Sequence, residues 1–116
     1  MIYKAAQGDL IWLDFNPQTG HEQKGHRPAL IVSNNDANRF LDPMAFVCPV
    51  TSTDRRYPTH IGLDGRTKLG GFVMCEQMRA VDLRARNAEF AERLPRELMN
   101  EVADILYGIV EIRNSN

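Results

Sequence analysis

The chain has 116 residues, a net charge of −1, 43% apolar residues and 25% charged residues, values that predict one globular domain with a single hydrophobic core. They exclude a low-complexity chain and a protein that coats nucleic acid through bulk positive charge. No stretch approaches the roughly 18 apolar residues of a membrane span, and the start "MIYKAAQGDLIWL" lacks a basic region followed by a sustained apolar run, so the expected location is the cytoplasm with no membrane partner.

In chain order, "DLIWLDF" (Asp9 to Phe15) is a nearly continuous run of β-formers, which fits a strand buried on both faces or set in a barrel. A long connection, Asn16 to His26, far exceeds a tight hairpin turn, and connections of that kind often carry function. "PALIVS" (Pro28 to Ser33) reads as a second buried strand with Pro28 as its first residue. "NNDANRFL" offers cap-type residues and then a helical turn or two. "MAFVCPVTS", "THIGL", "GGFVMCEQ" and "MRAVDL" follow as short strands separated by Asp, Gly and Pro.

The tail differs in kind. From Leu94, apolar residues recur at Leu98, Val102, Ile105, Leu106, Ile109 and Val110, a stripe of period 3.6 that opens near Pro95. It predicts an amphipathic C-terminal helix with acidic residues Glu97, Glu101 and Asp104 on its polar side. The whole pattern is mainly β with α, a single domain built as a small, partly open β-barrel covered by the terminal helix. Cys48 and Cys75 each lie in an apolar run without ligand spacing, and both are expected as buried, reduced core thiols. Trp12 and Phe15 are assigned to the core or to a subunit interface, and His60 to a surface or half-buried strand position.

Charge is unevenly spread. From Gly20 to Arg86 ten basic residues face seven acidic ones, and eleven of the fourteen basic residues of the chain are arginine. Arginine suits planar, bidentate contact with phosphate or carboxylate. The same pattern also describes a surface of solvated ion pairs.

Within the long connection, "GHEQKGHRP" (Gly20 to Pro28) supplies every group that metal-free cleavage of RNA requires. Such cleavage needs a base for the 2′-hydroxyl, a stabiliser of the phosphorane and a proton donor for the leaving oxygen. Glu22 is suited to be the base, Arg27 to hold the nonbridging oxygens, and His26 or His21 to supply a proton near neutral pH. Arg27 itself is a poor donor because its pKa exceeds about 12. The competing reading of the stretch is a charged, solvated loop.

The full run "GDLIWLDFNPQTGHEQKGHRPALIVS" resembles the signature of the MazF/PemK family of type II toxin–antitoxin ribonucleases. "CPVTST" (Cys48 to Thr53), "YPTHIGL" and "EQMRAVDLRAR" (Glu76 to Arg86) resemble its later segments in the same order, so the likeness runs from Gly8 to about Glu111. It implies an SH3-like barrel of the CcdB/PemK type, a homodimer, and metal-independent cleavage of single-stranded RNA at short sequences, leaving a 2′,3′-cyclic phosphate and a 5′-hydroxyl. It further implies a cognate antitoxin with an acidic C-terminal tail, and no cofactor or metal. By that likeness Glu22, Arg27, Thr51 and His26 are the catalytic candidates, and His21, Gln23, Lys24, Ser52, Gln77 and Arg79 the RNA-binding ones. Gln23 or Gln77 is suited to reading base edges and Tyr57 or Phe72 to stacking, on unpaired bases. Two other functions compete: a non-catalytic gyrase-binding toxin similar to CcdB, and a plain SH3-like binding module. Neither needs a base paired with an oxyanion clamp.

Overall fold

Side chains alternate between the two faces of a strand, so a strand apolar at every position must be covered on both sides. In the computed structural model, which describes residues 2–15 and 26–114, this holds for the apolar middle of β1 (Asp9–Asp14) and the apolar second half of β2 (His26–Ile31). They are followed by α1 (Asn35–Leu41), β3 (Met44–Thr51), β4 (His60–Gly62), β5 (Phe72–Met74), β6 (Arg79–Asp82), β7 (Glu89–Arg93) and α2 (Arg96–Val110). Leu10, Leu30, Cys48 and Val50 turn to one face, where α2 covers them with Leu98 and Val102. Ile11, Leu13, Ala29, Ile31, Ala45 and Val47 turn to the other, and join Val81 and Leu83.

All strand pairs are antiparallel, in the order β4-β5-β3-β2-β1-β7 with β6 also on β3. The eight-residue β3 organises the rest. One of its edges pairs with β2 from Val47 to Pro49, and the other pairs first with β6, from Met44 to Val47, and then with β5 at Val50 and Thr51. A strand shared in this way turns one ladder into two sheets that curl around the core.

Local signals act as the sequence suggests. Asn34 caps α1 by accepting from the Ala37 N–H at 2.8 Å, and Cys48 and Cys75 are buried, unbridged thiols. The neighbouring Cys75 sulfur and burial push the Cys48 thiol well above its ordinary value. Four details differ from expectation. The second strand begins at His26, with Pro28 at its third position opposite Trp12. The Ile31 carbonyl accepts from Gly8 on the β1 side, so alternation turns the N–H that Pro28 lacks toward β3, where pairing starts only at Ala29. The run "GGFVMCEQ" is strand only from Phe72 to Met74, and Cys75 to Gln77 form a single 3₁₀ turn. Strand β7 has no apolar alternation to announce it, because Glu89 and Phe90 are exposed and its place is set by pairing with β1.

The fourth difference concerns α2. Its buried stripe runs from Leu98 to Leu106, while Ile109 and Val110 are 50% and 69% exposed. Replacing Leu98 with alanine is therefore expected to destabilise the fold by about 2–5 kcal/mol, and Ile109→Ala by about 0.5 kcal/mol or less, a contrast that urea denaturation followed by circular dichroism measures.

Candidate functional site

Strand register decides which candidate residues meet. Leu13 lies opposite Arg27, Ile31 opposite Val47, and Val47 opposite Arg79; residues directly opposite share a face, as do residues two apart. One face therefore carries Arg27 on β2, Pro49 and Thr51 on β3, Arg79 on β6, and Phe15 just beyond β1. Because β1 and β3 run toward the end of the sheet where β2 and β6 begin, all of these fall at the same end. The opposite end of this face is closed by Ala45, Val81 and Leu83.

The face is concave. The Arg79 guanidinium stands 5.1 Å from the centre of the Phe15 ring, although β2 and β3 separate their strands, so the sheet must curl to bring them together. Arg27 is exposed and has no charged partner among the described residues, whereas Thr51 is half-buried with its hydroxyl oxygen accepting from the Thr53 N–H at 3.2 Å. Ser52 and Gln77 are exposed near the same end of β3 and on the 3₁₀ turn. His21, Glu22, Gln23 and Lys24 lie outside the described residues. Phe15 and His26, the described residues on either side of them, lie at the end of the sheet where Arg27, Thr51 and Arg79 gather.

His26 is not brought together with Arg27 and Thr51. As the next residue along β2, it projects to the other face, where its ring stacks on Trp12 with centroids 5.7 Å apart and planes 14° from parallel. Its Nδ1 donates to Asp14 Oδ1 at 2.8 Å, since a carboxylate only accepts. The Asn87 amide donates to the other oxygen, Oδ2, at 2.9 Å. Hydrogen bonds from Asn87 and His26 hold the Asp14 carboxyl below its ordinary value near 3.8.

Three supporting residues carried no clear sequence signal. Gly71 has φ +113, and a Cβ there would come within 2.6 Å of the Thr51 carbonyl oxygen, so only glycine lets β5 press against the end of β3. His60 is half-buried, as expected, with its side chain turned inward: the side chain is 2% exposed and its Nε2 lies 2.9 Å from Glu76 Oε2. Thr59 donates to the same carboxylate at 2.7 Å. Burial alone would raise the Glu76 carboxyl, but the bonds from Thr59 and His60 outweigh it and bring it below the ordinary value. This brace holds the turn that presents Gln77. Asp82 caps the backbone N–H groups of Arg84 and Ala85, and Arg84 reaches Asp42 at 3.3 Å. Among the described residues no three His, Cys, Asp or Glu side chains converge as a metal-ligand set, and no helix is long and apolar enough to cross a membrane.

A curled antiparallel sheet backed by a terminal helix, with arginines and a threonine hydroxyl gathered at one end of its concave face, defines a small barrel protein suited to gripping a polyanion. Comparison with known proteins makes this specific. Residues 6–110 match the family described as PemK-like, MazF-like toxin of type II toxin-antitoxin system, and the chain belongs to that family. It is 41% identical over 108 residues to the endoribonuclease PemK of Escherichia coli, covering 90% of this chain and 80% of that one. It is 32% identical over 111 residues to the endoribonuclease EndoA of Bacillus subtilis, covering 91% and 92%. Among solved structures, MazF from Deinococcus radiodurans superposes with a TM-score of 0.81 at 34% identity, covering 96% of this chain and all of that chain. A MazE–MazF structure from the same organism gives 0.81 at 29% identity, covering 97% and 100%.

Two outcomes follow from the geometry. Gly71→Ala should destabilise the fold on the order of 1–3 kcal/mol, through positive-φ strain and its clash with Thr51, and shift the Thr51 and Ser52 amide resonances. The depressed Asp14 pKa means that its contribution to stability is present above the unfolded value and is lost as pH falls through the folded one. Carboxyl-detected NMR titration of Asp14 should show a midpoint below 3.8 in the wild type and a return toward that value in Asn87→Gly.

Proposed function

We propose that the chain is the ribonuclease of a toxin–antitoxin pair, a single-domain enzyme that cuts single-stranded RNA without a metal. The observation that carries this reading is the placement of Arg27 and Thr51 on one face, at the end of the sheet where Phe15 and His26, the described residues on either side of Glu22, also lie. Glu22 takes the proton of a 2′-hydroxyl, the freed oxygen attacks the adjacent phosphorus, and the 5′-oxygen leaves, giving a 2′,3′-cyclic phosphate and a 5′-hydroxyl. Arg27 neutralises the nonbridging oxygens as negative charge builds on them, and the Thr51 hydroxyl donates to the same phosphate. Because His26 has its Nδ1 committed to Asp14 and faces away from Arg27, the leaving oxygen takes its proton from His21 or from solvent.

Recognition of the flanking nucleotides falls to His21, Gln23, Lys24, Ser52, Gln77 and Arg79, with arginine on phosphate and glutamine amides on base edges. The Phe15 ring, already engaged by Arg79, adds an aromatic wall for stacking. The same cationic face suits the acidic C-terminal tail of a cognate antitoxin, which would occupy the RNA site and silence it. Solved relatives in complex with their antitoxins support such a partner. A homodimer is supported by apolar side chains that a single chain leaves uncovered, such as Phe40, Tyr107, Val110 and Ile112. The cytoplasm, where messenger RNA is found, is the compartment this activity requires. Gyrase binding and a plain binding module draw no support from the relatives, whose names describe endoribonucleases.

The test is cleavage of a long single-stranded RNA by the purified chain in excess EDTA, with end-group mapping. Wild type should cut at a limited set of sites and leave cyclic phosphates. Arg27→Ala should slow cleavage on the order of 10²- to 10³-fold, as loss of one transition-state donor does, and Glu22→Ala should abolish it. Intact RNA from a folded wild-type dimer would overturn the reading.

A further inference from the structure

Arg27 projects from a strand end that the sheet holds on one side only. His26 and Arg27 pair with Asp14 and Leu13 of β1, but pairing of β2 with β3 begins at Ala29, and Pro28 has no N–H to offer. Backbone paired on one edge near a strand end is the first to open. A second anchor comes from the turn between β6 and β7. Its Asn87 amide holds Asp14 Oδ2, while Asp14 Oδ1 holds the His26 ring against Trp12. Its Arg86 Nη1 donates to the carbonyl oxygens of Asp14 and Phe15 at 3.2 and 2.6 Å, and the Arg86 carbonyl accepts from the Asp14 N–H at 2.9 Å.

The turn that makes these contacts is internally fixed. The Arg86 N–H reaches the Asp82 carbonyl at 3.1 Å, the Asp82 carboxylate caps two backbone N–H groups, and Asn87 occupies the left-handed region at φ 55. Asn87 and Arg86 thus grip the last residues of β1 directly and the first residue of β2 through Asp14. Since adjacent strand residues point to opposite faces, holding His26 on one face sets the direction of Arg27 on the other.

We propose that Asp14, Arg86 and Asn87 are positioning residues for RNA cleavage, which fix through His26 the strand end from which Arg27 addresses the scissile phosphate. The proposal rests on the reading of Arg27 as the phosphate-holding group. Asp14 projects to the face opposite Arg27 and Thr51, and Arg86 and Asn87 act from the β6–β7 turn through contacts with the end of β1, so removing them should alter turnover more than binding.

Steady-state cleavage of a short single-stranded RNA by the full chain tests this. Arg86→Ala should lower kcat on the order of 10- to 100-fold, the scale of effect for misplacing a catalytic group by about an ångström, with KM changed by about twofold or less. Arg86→Lys, which keeps a donor for the same carbonyls, should recover part of the loss. Asn87→Gly keeps the positive φ without strain and removes only the amide, so it should fold and still lower kcat. Arg84→Ala, on the same turn but paired with Asp42, should leave kcat unchanged. Wild-type kcat in folded Arg86→Ala and Asn87→Gly would overturn the proposal, as would an equal loss in Arg84→Ala. The ¹⁵N shifts of the His26 imidazole read the hold independently of cleavage: a protonated Nδ1 is expected, and mixed tautomers in the wild type would show that the clamp itself is absent. A wild type with a protonated Nδ1 but no ribonuclease activity would locate the failure in the functional reading instead.

Discussion

The architecture depends on the sharing of β3 between two sheets. Its Val47 to Pro49 stretch satisfies β2, while its other edge is divided between β6 and β5, so one strand supplies hydrogen bonds to three neighbours. Buried backbone groups must be paired, and this division is how a short chain pairs them without a long open edge at its centre. It also produces the curl that brings Arg79 over Phe15 and makes one face concave. With alternation fixed, the even-numbered positions Leu10, Leu30, Cys48 and Val50 go to the helix-covered side and the odd-numbered Ile11, Leu13, Ala29 and Val47 to the other. The candidate site is the polar end of that second face.

A net charge of −1 is compatible with binding RNA because the cations are grouped rather than abundant. Arg27 and Arg79 sit at one rim, while Arg66, Arg84 and Arg93 are engaged by Asp64 and Glu101, Asp42, and Asp9 respectively. Paired arginines of this kind contribute little to a polyanion's attraction, since their field is locally cancelled. The family match gives this distribution its meaning: a toxin needs a grip on RNA strong enough to cut, and a surface that an antitoxin can cover.

Precision at such a rim has to be imported from rigid elements, because strand ends and connections open most readily. Two devices do this. The His60–Glu76–Thr59 brace holds the 3₁₀ turn beside Gln77, and the Asp14–Asn87–Arg86 clamp holds the ends of β1 and β2. Gly71 contributes by absence, letting the backbone of β5 lie against Thr51. In each case a residue away from the rim determines where a candidate site residue stands.

Much of this was legible in the chain itself. The apolar runs at Asp9 to Phe15 and Pro28 to Ser33, the cap at Asn34 and the stripe from Leu98 to Leu106 specify strands and helices through local periodicity, and the "GHEQKGHRP" motif with its later companions points to the family. Periodicity is a local property, so it survives in the one-dimensional record. Strand β7, the pairing of His60 with Glu76 and the exposure of Ile109 and Val110 were not legible, because each depends on which distant segment lies alongside. The same is true of the division between His26 and Arg27. Adjacent in sequence and equally suited to phosphate chemistry, they are parted by the pleat of β2, and only the pairing of Asp14 with His26 across the sheet, a contact between residues 12 positions apart, decided that one faces the site and the other its support.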